Sequence, residues 1–171
     1  MSLEFELRLR RPFTLLAHEA LLNIYYSASC LKKKAGEFLR PFGLTDVQFN
    51  LMMLLKYQSE QEQGLSQAQL SSMMLVNRAN ITSLIDRMEK ADLVIRTPAP
   101  ADRRSNIVKL TSRGKELLAE IEPHYTKEVK RIMNALKLNE QKTVIEMLER
   151  IRGNVSGLNE NNTQDVSLVR V

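Results

Sequence analysis

The chain has 171 residues, 43% hydrophobic and 26% charged, with a net charge of +5 and a pI near 9.4. This is enough apolar material for one domain, or two small lobes sharing a core, and the basic balance favours a polyanionic partner. One cysteine excludes an internal disulfide or a cysteine-rich zinc site, two distant histidines (His18 and His124) argue against a metal site, and no cofactor is expected. No apolar run approaches a bilayer span and the start lacks a signal-peptide pattern, so the expectation is a cytoplasmic protein with no membrane segment.

Residues 3–10 alternate apolar and charged, the period of a half-buried strand, and Pro12 ends the run. From Phe13 to Leu39 the apolar positions Phe13, Leu16, Ala20, Ile24, Ala28, Leu31, Ala35 and Phe38 trace a helical stripe, widened by Leu15, Leu21, Leu22, Tyr25 and Tyr26. A helix so widely apolar must be buried on more than one side. One side can cover its own chain; the other calls for a second subunit.

Thr45 to Gln48 reads as a capping box, with Leu44 and Phe49 as a hydrophobic staple, and Leu51, Met52, Leu54 and Leu55 bury the helix that follows. Tyr57 to Gly64 is polar and reads as a loop. Ser66 to Gln69 repeats the box, and Leu65 with Leu70 repeats the staple. That short helix is expected to end near Leu75, with Asn77 capping the next one. In the next helix Ile81, Leu84, Ile85 and Met88 form one apolar face. The outer face carries Arg78, Asn80, Thr82, Ser83 and Arg87, side-chain types that reach phosphates and base edges. A short helix, a tight turn and a second helix with a polar outer face make a helix-turn-helix.

Leu93–Thr97 and Asn106–Leu110 read as two strands, and the prolines between them (Pro98 and Pro100) cannot continue a ladder. Seven Lys/Arg stand against four Asp/Glu from Asn77 to Lys109, and Arg103 and Arg104 tip the hairpin. Thr111 caps a long helix buried through Leu117, Leu118, Ile121, Val129, Ile132 and Met133, with a kink expected at Pro123. Asn139 is the expected cap of a last helix, without a capping box because Lys142 lies three residues on; Val144, Ile145, Leu148 and Ile151 bury it. Residues 157–165 read as a polar linker, and 166–171 turn apolar again. Each end needs a partner for its backbone and adjoins a long helix, so both are expected to pack at a dimer interface, pairing as strands across or within subunits, with Phe5, Leu7 and Leu9 facing the helices; the alternative is two disordered tails.

The stretch from Asn77 to Ser112 resembles the MarR/SlyA family of dimeric winged-helix transcription regulators. Arg87-Met88-Glu89-Lys90 closing the recognition helix, Asp102-Arg103-Arg104 at the wing, and Leu110-Thr111-Ser112-Arg113-Gly114 starting the next helix carry the resemblance, together with their spacing. Asp92 stands where the family usually has glycine; aspartate tolerates a left-handed cap at some cost. The organisation implied is mainly α, one MarR-like domain over 1–171. It comprises a winged helix-turn-helix lobe with a two-stranded wing at 44–111, a helical dimerisation lobe at 12–43 and 112–156, and a tail at 157–171.

The resemblance implies that Arg104 enters a minor groove while Asp102 holds its guanidinium, the alternative being a solvated turn. With Arg78, Asn80, Thr82, Ser83, Arg87 and Arg103 these are the DNA-facing candidates. Asn80 suits adenine; Arg78 and Arg87 suit guanine or phosphate. The family often binds phenolic or anionic effectors in a cleft, for which Tyr26, Phe49, Met52 and Met53 are candidates, although apolar residues at helical spacing are more often core. Some members sense oxidants through a first-helix cysteine nearer the helix start than Cys30, which reads better as a small buried hydrophobe than as a thiolate sensor. The function implied is a homodimeric, ligand- or stress-responsive regulator, most often a repressor, reading a pseudopalindromic double-stranded operator. A winged helix used only for protein binding is the rival. Nothing resembles a nucleotide loop, metal cluster or nucleophile–base pair, so an enzyme is not expected.

Overall fold

A computed structural model describes residues 2–59, 64–74, 78–99 and 106–167, with backbone alone for Arg78 and for 158–167. The elements run α1 (Leu3–Glu6), α2 (Leu16–Leu39), a 3₁₀ turn (Arg40–Phe42), α3 (Asp46–Tyr57), β1 (Leu65–Ser66), α4 (Gln67–Met73) and α5 (Arg78–Lys90). Then come β2 (Val94–Pro98), β3 (Asn106–Leu110), α6 (Ser112–Met133) and α7 (Leu138–Ser167). Met1–Ile121 form one compact unit and Glu122–Val171 a second, the boundary falling in the turn of α6 that holds Pro123.

Local chemistry places the first unit's helices. Thr45 Oγ1 accepts the Gln48 N–H at 3.2 Å while Gln48 Oε1 accepts the Thr45 N–H at 2.9 Å. Ser66 and Gln69 do the same at 3.2 and 2.8 Å. Each box satisfies two donors that a helix start otherwise leaves open, fixing where α3 and α4 begin. Both staples are buried: Leu44 with Phe49, and Leu65 with Leu70. Ile81, Leu84, Ile85 and Met88 of α5 close onto them, with Leu93, Val94 and Val108 from the sheet and Leu118 and Ile121 from α6. Among the described residues, every buried apolar side chain belongs to this unit.

The antiparallel sheet has three strands in the order β1-β3-β2, not the two read from the sequence. β1 is only Leu65–Ser66, paired to Val108 and Ile107; a two-residue strand whose partner lies forty residues on leaves no periodic trace. Pro98, expected outside the ladder, forms its last rung opposite Asn106. It can do so because β2 is an edge strand, where a missing donor faces no neighbour.

Three expectations about the chain ends and the last helix are corrected. Residues 3–6 form a helical turn instead of a strand. Leu7 N–H donates to Leu3 O at 2.9 Å, Leu9 N–H to Glu4 O at 3.0 Å, and Phe13 N–H to the Glu4 carboxylate at 2.8 Å. The backbone is thus satisfied locally, which a lone strand could not achieve. Phe5, Leu7 and Leu9 are exposed in the single chain. Asn139 lies inside α7, which starts one residue earlier because Glu140 Oε2 accepts the Lys137 N–H at 2.6 Å. α7 also continues through Ser167, where a linker was expected; no proline follows Gly157 to stop it. Residues 168–171 and the Asn77 cap lie outside the described residues.

Candidate nucleic-acid interface

α4 and α5 form the helix pair whose second member presents the polar face. Apolar side chains at i, i+3, i+4 and i+7 leave Ala79, Ser83, Asp86 and Lys90 directly opposite, all exposed. Asn80 and Arg87 flank that face on one side and Thr82 on the other, also exposed. Arg78 opens the helix. Thr82 Oγ1 donates to Gln67 Oε1 at 3.1 Å, tying α5 to the first turn of α4. Arg87 lies back along its own helix, its Nε donating to Ser83 O at 3.2 Å. Of the expected residues, Ser83 sits at the centre of the outward face while Asn80, Thr82 and Arg87 border it. Ala79, Asp86 and Lys90 were missed, though their spacing opposite the buried stripe was there to be read.

The end of α5 is fixed by a left-handed residue. Asp92 has φ +56°; its N–H donates to Glu89 O at 2.9 Å and the Leu93 N–H to Met88 O at 2.9 Å. These are the two bonds of a Schellman motif, here with aspartate in the glycine position. Thr111 then locks the region. Its Oγ1 donates to Asp92 O at 2.6 Å and accepts the Gly114 N–H at 3.0 Å, while its own N–H donates to Leu93 O at 3.2 Å. A Cβ at Gly114 would stand 2.1 Å from Leu93 O, so only glycine lets α6 start this close to the end of the recognition helix. The Thr111-Ser112-Arg113-Gly114 phrase is therefore a clasp between α5, β2 and α6.

A second clasp was not read from the sequence. Arg96 of β2 donates to Asp86 Oδ1 at 2.6 Å and pairs with the Glu89 carboxylate, which also accepts the Arg96 backbone N–H at 2.8 Å. The Arg96 side chain is only 19% exposed, so this fork is held in a partly dry setting where charge-assisted bonds count for more. It fixes the wing strand to the recognition helix. Arg96 offsets one of the two negative charges of Asp86 and Glu89, beside the Arg87 and Lys90 cations at that end of α5. No local pattern announces a pair seven and ten residues apart.

Asp102, Arg103 and Arg104 lie outside the described residues, between Pro98 and its ladder partner Asn106. Phe49 and Met52 are buried in the core, and Tyr26 and Met53 are half-buried. The Tyr26 phenol is pushed above its ordinary pKa by the neighbouring Cys30, then by burial and Glu6. Cys30 is exposed on the single chain, so its expected burial is corrected: α2 presents that face outward. Among the described residues no group of His, Cys, Asp and Glu could hold a metal ion, and no helix is long and apolar enough to cross a membrane.

Residues 44–106 match the MarR family. The transcriptional regulator MhqR of Bacillus subtilis is 29% identical over 116 residues, 68% of this chain and 77% of MhqR. Three solved structures share the fold. AbsC, a MarR family regulator from Streptomyces coelicolor, has a TM-score of 0.75 at 23% identity, covering 86% of this chain and 99% of AbsC. MepR of S. aureus, in complex with DNA, has a TM-score of 0.70 at 19% identity, covering 77% and 93%. CouR from Rhodococcus jostii, bound to p-coumaroyl-CoA, has a TM-score of 0.71 at 21% identity, covering 81% and 95%.

Proposed function

We propose that the chain is a regulator of the MarR type, sequence-specific and binding double-stranded DNA, a homodimeric repressor released by a small phenolic or anionic effector. The observation that carries the reading is the recognition helix itself. α5 buries one complete stripe, turns a polar face outward, and is clasped to the wing by Arg96 and to α6 by Thr111. A helix whose last turns are fixed to its neighbours presents its side chains in a fixed direction, as base readout in a major groove requires.

In this reading Asn80, Ser83 and Arg87 address base edges and nearby phosphates, with Arg78 at the helix start and Thr82 bracing α4. Asp102, Arg103 and Arg104 form the wing tip that enters the adjacent minor groove. The lobe takes residues 44–111; 12–43 and 112–156 supply dimerisation. Exposed apolar side chains support a second copy: Leu16, Leu21, Tyr25 and Leu31 on α2, and Ile145, Met147, Ile151 and Val155 on α7. The place of action is the cytoplasm and no catalytic step is involved. DNA-bound MepR and CouR with p-coumaroyl-CoA show what relatives of this fold bind, and support the choice of DNA and effector classes.

Selection of bound duplexes from a random pool tests this reading. Enrichment of a pseudopalindrome, protected in footprints, is expected. Retention without any enriched sequence would overturn it and favour a winged helix that binds protein.

A further inference from the structure

Asp86 places a carboxylate on the outward face of α5, the face that in the DNA-binding reading meets a polyanion. The row opposite the buried stripe runs Ala79, Ser83, Asp86 and Lys90, all exposed. Ala79 and Ser83 are short and let the helix backbone come close to a base-pair edge. Asp86, one turn on, is the first side chain of the row that accepts with a charge. It is 50% exposed, and Arg96 Nη2 donates to its Oδ1 at 2.6 Å. Holding Arg96 does not account for it. Glu89 alone grips Arg96 at two points: Oε2 takes the guanidinium and Oε1 accepts the backbone N–H at 2.8 Å. Arg96 offsets only one of the two carboxylates, so Asp86 adds a negative charge that phosphates repel. That cost is recovered only where the carboxylate meets a hydrogen-bond donor on the duplex.

A carboxylate accepts and cannot donate, and phosphate oxygens are acceptors too, so the duplex backbone offers it nothing. In the major groove the donors are the cytosine N4 and adenine N6 amino groups. Adenine carries the N7 acceptor beside its amino group, which opposes a carboxylate; cytosine has only a C–H there. Guanine and thymine present acceptors. We propose that Asp86 is a specificity-determining residue that selects cytosine at one position of each half-site. The cytosine N4 amino group donates to the carboxylate oxygen that Arg96 does not hold. Arg96 is the positioning residue: its part-buried guanidinium sets the carboxylate in one orientation, so little ordering remains for binding to impose. This role rests on the DNA-binding reading and adds to it one residue and one base.

The full chain, as wild type and as Asp86→Asn, selects duplexes from one random pool, and the enriched sites are ranked by competition binding. Wild type should prefer cytosine at one half-site position by about tenfold. In Asp86→Asn the amide oxygen can stay on Arg96, which puts an N–H donor where the second carboxylate oxygen stood. The preference should then leave cytosine and pass to guanine or thymine at that position, with the other positions unchanged. Asp86→Ala, at an exposed site, should flatten the preference there while circular dichroism stays that of the folded chain. A duplex whose selected cytosine is N4-methylated loses its groove-facing N–H and should bind wild type about tenfold more weakly, with no such loss in Asp86→Ala. Uniform weakening in both variants with the base ranking kept would overturn the assignment and leave Asp86 as a tie for Arg96. So would wild-type indifference to the methyl group, or an equal loss in Asp86→Ala. Wild type enriching no sequence would sink the DNA-binding reading itself, a failure visible before any variant is compared.

Discussion

α5 and α7 share the same kind of apolar periodicity and meet opposite fates. In α5 the stripe is sealed, with Ile85 fully buried among side chains of its own unit. In α7 the corresponding stripe is open, with Ile145 55% and Ile151 43% exposed, and no described residue of the second unit is buried. Periodicity states that a face is apolar and is silent on which chain covers it. The winged-helix lobe is complete in one copy; in the proposed homodimer the second copy covers the helical arms.

Substitution at equivalent points of the two stripes separates them most strongly. Ile85→Asp places an unpaired carboxylate in a closed core and should cost about 4 kcal/mol or more, enough to unfold the lobe in a denaturant titration. Ile145→Asp with Ile151→Asp should leave the lobe's cooperative unfolding in place while raising the dimer dissociation constant about 100-fold, read by sedimentation. Equal loss of folding from both would erase the distinction between the two regions.

Smaller effects sharpen the lobe's side of the comparison. Gly114→Ala forces Leu93 or α6 to shift, and should destabilise the lobe by about 2 kcal/mol in the same titration without altering dimerisation. Arg96→Met frees the wing strand from α5. DNA affinity should fall about tenfold while stability drops by about 1 kcal/mol, and Arg96→Lys should restore little because the two-carboxylate fork needs a guanidinium. Asn80→Ala should change base preference at one position per half-site by roughly 1–3 kcal/mol in competition binding; uniform weakening across sequences would make Asn80 a phosphate contact.

What the sequence made legible follows the range of each interaction. Capping boxes at Thr45 and Ser66, the left-handed Asp92 and the stripe of α5 are set within four residues, and all stand where they were read. β1 and the Arg96 clasp depend on partners across the fold, and neither left a local sign. The alternation of residues 3–10 misled because period two describes a strand only where a neighbouring strand exists to take its backbone groups. Polar residues after Gly157 suggested a linker, yet nothing there forbids the helix that α7 continues. The apolar circumference of α2 makes Cys30 read as buried; on one chain that same face is open.

The claim that one lobe is complete and two copies are needed is tested most directly by half-site spacing. With a selected duplex in hand, about five base pairs, roughly half a helical turn, are inserted between its half-sites. The second half-site then faces away from the second recognition helix, and affinity should collapse to that of a single half-site, the value expected for the Ile145→Asp, Ile151→Asp chain on the original duplex. Full affinity retained on the lengthened duplex would contradict the account.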